Sequence, residues 1–272
     1  MRRVKSIIKL VTILALTAII LAGCGTKEEE PSTNDAPQAD QTPDGSGEEL
    51  YSFRAEIMEG GDVLLITPSE ESNEAKSSDK ISVNVANAVL VDETGTTITT
   101  EKLMVGDILV ITYNGVILES YPAQITATKV EKVDHNNLID GYLALIDDIY
   151  RVDDGLNSDI KTIAMDTSEW INLTNMEKEM IFTKVKAAYG LEVIEGTFEE
   201  LSEQNIIDKE KLMFQDGILI KISEITYDEK KEEIKCAMSK WRSGDGAIGA
   251  DDVTAVLKNG GWKITKEGNW IS

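Results

Sequence analysis

The pattern of hydrophobic and polar positions changes once along the chain, near residue 135. Between residues 50 and 134, short segments rich in Val, Ile and Thr show partial alternation and are separated by Gly or Asn turns. This pattern predicts five or six short strands, with tight hairpin turns at Gly60-Gly61 and Asn114-Gly115. No convincing helical period occurs in this stretch. The sequence therefore favours a small closed barrel, because closure removes exposed strand edges.

Residues 136–272 begin with a helical pattern. A stripe of apolar residues is spaced by four, three and four positions, as on one face of an amphipathic helix: Leu138, Tyr142, Leu145 and Ile149. We expect this helix to close at Asp154-Gly155, with the glycine as a left-handed cap.

Capping motifs predict two more helical segments. Thr174 with Glu177, and Thr197 with Glu200, have the spacing of a capping box, and Gly190 is placed to end the first of these helices. Strand patterns separated by glycine turns follow from residue 211 onward. Helices followed by an antiparallel meander predict an α+β class, with helices packed on one sheet face.

The N-terminal segment has the pattern of an export signal. Residues 1–9 carry four basic side chains and no acidic one, and an apolar run of 14 residues follows. This run is shorter than the ~20 residues of a transmembrane helix. It ends in Leu21-Ala22-Gly23-Cys24, which resembles the lipobox of bacterial lipoproteins.

That resemblance implies cleavage between Gly23 and Cys24 and a lipid on the Cys24 sulfur. A protein with this lipid is expected to incorporate labelled palmitate. Residues 1–23 are then a signal peptide, and the mature protein is anchored on the extracytoplasmic face of the cell membrane. The alternative is an ordinary secretory signal with an incidental cysteine. Residues 24–49 contain three of the five prolines and no Val, Ile, Leu, Met or aromatic residue, which predicts a disordered acidic linker.

The predicted barrel, residues 50–135, has a recognisable segment. "LMVGDILVITYNGVILESYPAQI", residues 103–125, is similar to an uncharacterised family of small exported β-barrel domains, OB-like in appearance, from Gram-positive lipoproteins. The resemblance implies no activity. Tyr121 is interpreted as a core residue rather than a ligand platform, since tyrosines are commonly half buried.

The second predicted domain, residues 136–272, resembles the nuclear-transport-factor-two-like, or SnoaL-like, cone fold. "DDIYRVDDGLNSDIK" and "KWRSGDGAIGADDVTAV" are also similar to an uncharacterised group of clostridial lipoprotein domains. A cone implies a curved sheet around helices and a pocket. Four side chains are candidates for its lining: Trp241, Arg242, Trp262 and Trp270. In a pocket, the tryptophans would supply apolar walls and Arg242 would bind a carboxylate. The alternative is that the tryptophans fill the cone and that Arg242 pairs with a neighbouring acid.

Charge and composition exclude several chemistries. Removing residues 1–23 lowers the net charge from −22 to −26, which disfavours a nucleic-acid partner. His135 is the single histidine and Cys236 the single remaining thiol, so no zinc site, cofactor site or catalytic triad is predicted. His135 is interpreted as a polar linker residue and Cys236 as a buried apolar one. The acids from Asp147 to Asp159 lack EF-hand spacing and are interpreted as helix caps and a solvated face.

The sequence favours a noncatalytic envelope lipoprotein that binds a protein, peptide or small ligand. A hydrolase or isomerase stays open, and it requires a buried acid with a raised pKa near Trp241. A solute-binding accessory of a transporter also stays open, although the alternating strand and helix units of such receptors are not visible.

Overall fold

The structure is a computed structural model that describes residues 49–272. The predicted signal peptide, the Cys24 lipidation site and nearly all of the predicted linker lie outside the described residues.

The first sheet is a closed barrel. Its strands are β1 (Tyr51–Glu59), β2 (Val63–Pro68), β3 (Ile81–Asn84), β4 (Val89–Val91), β5 (Asp107–Tyr113) and β6 (Ala123–His135). They lie in the order β3-β2-β1-β5-β6-β4, and a parallel pairing of β3 with β6 closes five of them into a barrel, with β4 attached to β6. The predicted small closed barrel is confirmed.

Alternation of side chains fills this barrel. Every second residue of β5 is buried, and inward-facing residues such as Leu64, Val83, Leu109 and Ile125 form one apolar core. The expected tight hairpin at Asn114-Gly115 is wrong, because β5 ends at Tyr113 and β6 begins only at Ala123. Residues 114–122 instead form a longer connection, in which Leu118 makes an isolated antiparallel bridge to Gln124.

The second sheet holds the remaining strands, and three α-helices lie before or between them along the chain. The elements in chain order are α1 (Asn137–Arg151), β7 (Thr162–Asp166), α2 (Asn175–Tyr189), β8 (Glu192–Glu195), α3 (Phe198–Glu203), β9 (Gly217–Asp228), β10 (Glu233–Ser243), β11 (Gly246–Lys258) and β12 (Gly261–Ile271). The strand order is β12-β11-β10-β9-β7-β8. The strands from β9 to β12 form an antiparallel meander, whereas β7 runs parallel to both β8 and β9.

The predicted α+β class, with a cone over residues 136–272, is wrong. The described residues form a mainly β structure of twelve strands in two sheets, with only three α-helices. Two causes explain the error. The strands from β9 to β12 are long, at 11 to 13 residues each. In addition, β7 and β8 lie in a stretch for which the sequence pattern predicted helices. Four of the five β7 residues are buried, so this strand has no period of its own.

The predicted apolar stripe of α1 is buried and packs against β9 to β12. The helix ends at Arg151, however, and Asp153 rather than Gly155 takes the left-handed conformation, with φ of 49°. The buried Lys240 explains this end. Its Nζ donates to the carbonyl oxygens of Tyr150, Val152 and Asp153 at 2.5 to 2.9 Å, which supplies donors for the helix C-terminus. Burial lowers the pKa of Lys240 to about 8.

The capping predictions for the other helices are confirmed. Thr174 and Glu177 form a reciprocal capping box at α2, and Thr197 with Glu200 forms a second one at α3. Gly190 ends α2 with φ of 67°. These local motifs act within a few residues, so they persist in a fold whose class was mispredicted.

Candidate functional site

Trp241 and Arg242 follow each other on β10, so their side chains point to opposite sheet faces. The Trp241 ring packs edge to face on Phe198, with ring centroids 5.1 Å apart. The Arg242 guanidinium donates to the carbonyl oxygens of Leu156 and Ser158 at 2.9 and 2.7 Å. Arg242 therefore holds a loop instead of presenting its donors to a ligand carboxylate.

The other two tryptophans lie elsewhere on the sheet. Trp262 packs over Gly141 of α1 and sits beside the start of β10, roughly 25 Å along that strand from Trp241. Trp270 is 37% exposed and donates from Nε1 to Asp251 at 3.0 Å. The structure thus distributes the four predicted lining residues over separate contacts and does not bring them together in one pocket.

The acids from Asp147 to Asp159 do not converge either. Asp147 accepts from the Arg151 Nε at 2.8 Å and the Tyr189 hydroxyl at 2.7 Å, while Asp148 pairs with Lys266. Among residues 49–272, no group of three or more His, Cys, Asp or Glu side chains is arranged to hold a metal ion. Cys236 is buried, as expected, and burial raises its pKa to about 12.

His135 has a larger role than that of a polar linker. It is the last residue of β6, and its ring bridges the barrel to α1: Nδ1 lies 2.7 Å from an Asp107 oxygen and Nε2 lies 2.9 Å from Asp140. Asp107 is fully buried and also pairs with Lys132 at 2.6 Å. Hydrogen bonds to Asp107 and Asp140 raise the pKa of His135 to about 9, so the bridge is charged at neutral pH. Burial opposes ionisation of Asp107, but hydrogen bonds from His135 and Lys132 outweigh it and lower the pKa of Asp107.

The next residue makes a second bridge. The Asn136 Nδ2 group donates to Glu56 of β1 at 3.2 Å and to Glu177 of α2 at 2.6 Å. Burial and the nearby charge of Glu177 raise the pKa of Glu56 to about 7. We call these two bridges the junction: Glu56, Asp107, His135, Asn136, Asp140 and Glu177. A cleft of about 630 Å³ opens beside it, between β1 and the start of α2.

The barrel carries a different concavity, which we call the barrel groove. It measures about 530 Å³ and is lined by Val63, Ser82, Asn84, Asn114, Val116, Leu118, Gln124, Ile125 and Thr126. Strand pairing explains this arrangement. Val63, Asn84 and Thr126 are register partners across β2, β3 and β6, and Ser82 lies opposite Gln124 in the next row. Residues 114–118 of the β5 to β6 connection form the remaining wall.

None of the nine residues that line the groove is ionisable. Val63, Val116 and Leu118 are more than half exposed. The amides of Asn84 and Asn114 each use only their oxygen, to accept from the backbone N–H groups of Ala86 and Val116.

Gln124 uses only its Nε2, which donates to Ser120 at 3.1 Å. Within the described part of the chain, the groove therefore presents two free NH₂ groups and one free amide oxygen. The free groups lie beside apolar side chains, so a ligand would meet both kinds of contact.

Sequence reasoning missed the groove because most of its strand residues read as ordinary outward positions of short strands. Only the pairing of β3 with β6 joins them, and no local pattern indicates that pairing. The interpretation of Tyr121 as core is wrong, since this side chain is 72% exposed. It lies on the same connection but does not line the groove.

Among the described residues, no helix is long and apolar enough to span a membrane. No curated protein matches the chain. Residues 56–134, from within β1 almost to the end of β6, match the model of a family described as a protein of unknown function (DUF3221).

Proposed function

We propose that this protein is a noncatalytic lipoprotein of the cell envelope whose barrel groove binds an uncharged, hydroxyl-rich ligand such as a saccharide. The lipid on Cys24 and the linker of residues 24–49 would hold it at the extracytoplasmic face of the membrane. One observation supports the choice of ligand above the others: a groove without ionisable side chains lies on a chain of net charge −22 in which 28% of residues are charged. A charged ligand would find no counterion there.

The chemistry of the lining suits hydroxyl groups. Sugar hydroxyls both donate and accept, and the free NH₂ groups of Asn84 and Asn114 with the free oxygen of Gln124 provide complementary partners. Val63, Val116 and the other apolar side chains would pack against the C–H faces of a sugar ring. Pockets of this kind, largely apolar with a few placed polar groups, are typical of small-ligand sites.

The strand order supports the OB-like resemblance. Strands β1, β2 and β3 are consecutive neighbours, β5 pairs with β1 and β6, and β6 closes on β3. OB-like barrels bind oligonucleotides or oligosaccharides on the face of their second and third strands. The acidic charge of this chain disfavours oligonucleotides, which leaves the saccharide class.

A peptide strand is a poorer fit to the same groove. Strand addition needs a free backbone edge, but β3 pairs on both sides, with β2 and β6. The Leu118 backbone is also bonded to that of Gln124 in both directions. Recognition in the groove therefore depends on side chains.

The enzyme alternative finds less support. It required an acid with a raised pKa beside Trp241, but in the described part the carboxyl with a pKa near 7 is that of Glu56, in the junction. The transporter alternative has no observation in its favour.

Calorimetry on the mature chain tests the ligand class. The probes are dextran and oligomers of N-acetylglucosamine as neutral saccharides, with heparin as the anionic comparison. We expect Val116→Asp to weaken binding of a neutral saccharide at least ~10-fold, because a carboxylate would be desolvated without a partner. Val89→Asp is the matched control, since Val89 is equally exposed on the barrel outside the groove. Equal losses in both variants, or no neutral saccharide bound, would refute the proposal.

The anchor is tested separately. Cells that express the chain are given labelled palmitate, and we expect label on the wild type but none on Cys24→Ala. An unlabelled wild-type protein would exclude the anchor without bearing on the groove.

A further inference from the structure

In the junction, two carboxylates from different parts of the fold accept hydrogen bonds from the same amide NH₂ group. Glu56 and Glu177 both accept from the single Nδ2 of Asn136, at 3.2 and 2.6 Å, so their bonded oxygens lie within about 6 Å of each other. Glu56 belongs to the barrel and Glu177 to α2, and the contact therefore spans the barrel and the second sheet. Among the described residues, Glu56 makes no other side-chain hydrogen bond, whereas Glu177 also accepts from the backbone N–H of Thr174.

We propose that Glu56, Asn136 and Glu177 form a proton-operated latch, which holds the barrel against α2 more tightly when Glu56 is protonated. This inference is independent of the groove and of the lipid anchor. If the chain is exported as proposed, the pH outside the cell would regulate how tightly the barrel is held against α2.

Charge repulsion gives the latch its direction. Two carboxylates this close repel each other when both are ionised, and a proton on Glu56 removes that repulsion. Glu56 is the group that can take the proton, because it lacks the backbone bond that occupies Glu177. Its carboxyl pKa near 7, raised by burial and by Glu177, agrees with this geometry.

Other charges act on Glu56 from the elements packed around it. The positive charge of His135, at the end of β6, opposes protonation. Further ionisable side chains line the adjoining cleft on the barrel side: Arg54, Glu70, Glu71 and Asp79. The charge of Glu177 favours protonation of Glu56, whereas the hydrogen bond from Asn136 opposes it.

The sign of the pH effect follows from the raised pKa. Between pH 4.5, the ordinary value for glutamate, and about 7, the folded protein holds a proton that the unfolded chain has lost. The stabilising contribution is therefore complete below 4.5 and is lost as pH rises through 7. In that window the constant for opening the junction should rise by up to ~10-fold per pH unit.

Two measurements on the full mature chain test the latch. Carboxyl-carbon NMR of Glu56 should show a titration midpoint near 7, which moves downward in Glu177→Gln, a variant that keeps the capping-box chemistry. Hydrogen exchange at the first turn of α2, corrected for intrinsic rates, should become faster as pH rises in the wild type. Glu56→Gln, which mimics the protonated form, should abolish that dependence.

Glu59→Gln is the matched control, because Glu59 lies exposed on the same strand. It should keep the wild-type pH dependence. A Glu56 midpoint near 4.5, or equal pH dependence in Glu56→Gln and Glu59→Gln, overturns the proposal. If Glu56→Gln fails to fold, the shift of the Glu56 midpoint in Glu177→Gln decides the question alone.

Discussion

The barrel groove and the junction lie on the same barrel but use side chains in opposite ways. The groove has no ionisable residue, and several of its polar groups are unbonded within the described chain. The junction is built from ionisable residues whose polar atoms are largely paired, including the fully buried Asp107. Buried charges such as Asp107 fix the geometry of the junction, whereas the barrel groove has no ionisable side chain.

This difference separates two kinds of mutational effect. Changes in the junction should alter stability and its pH dependence, because they leave buried charges without partners. Changes in the groove should alter binding and leave stability nearly intact, since exposed positions contribute little to folding. A junction variant that changes binding, or a groove variant that changes stability, would show that the two regions are coupled.

Asp107→Ala should have the largest effect. It leaves Lys132 and His135 without the carboxylate that both contact, and we expect a loss of about 3–5 kcal/mol in the free energy of unfolding. Urea unfolding measures this loss. Asp252→Ala, at an exposed position of β11, should change stability by less than ~0.5 kcal/mol. A small effect of Asp107→Ala would contradict the role given to the junction.

The charge of His135 gives a pH-dependent effect of intermediate size. The pKa of His135 is raised to about 9 from 6.5, so its stabilising contribution is complete below pH 6.5 and is lost as pH rises through 9. The difference in unfolding free energy between wild type and His135→Gln should therefore shrink over that range. Because His135 is the only histidine, one imidazole NMR signal reports its titration directly. A midpoint near 6.5 would contradict the bridge.

The groove is probed most sharply by Asn84→Asp. The aspartate keeps the oxygen that accepts from the Ala86 N–H but replaces the free NH₂ group with a charged acceptor. We expect about tenfold weaker saccharide binding in calorimetry, with unfolding free energy changed by less than ~1 kcal/mol. Asn269→Asp on β12 makes the same chemical change at an exposed site and should leave binding unchanged. Equal weakening in the two variants would mean that net charge, not the groove, controls binding.

Local features of the fold were predictable from the sequence, and long-range ones were not. The alternation in β5, the buried stripe of α1 and the box of Thr174 with Glu177 act within a few residues, and each was predicted correctly. Glu56 and Asn136 meet across 80 positions, and no spacing indicates such a contact. The buried strand β7 also lacked a period, and without β7 and β8 the second sheet was assigned to the wrong class.

The smallest effect is expected for Tyr121→Ala, and it marks the boundary of the groove. Tyr121 lies on the same connection as Val116 but is 72% exposed and lines no part of the groove. A core tyrosine would lose about 3–5 kcal/mol of stability on truncation, and a stacking platform would lose about 1–3 kcal/mol of binding. We expect neither, with both changes below ~0.5 kcal/mol in urea unfolding and saccharide calorimetry. A clear loss of binding without a loss of stability would extend the ligand site from the groove along the connection toward residue 121.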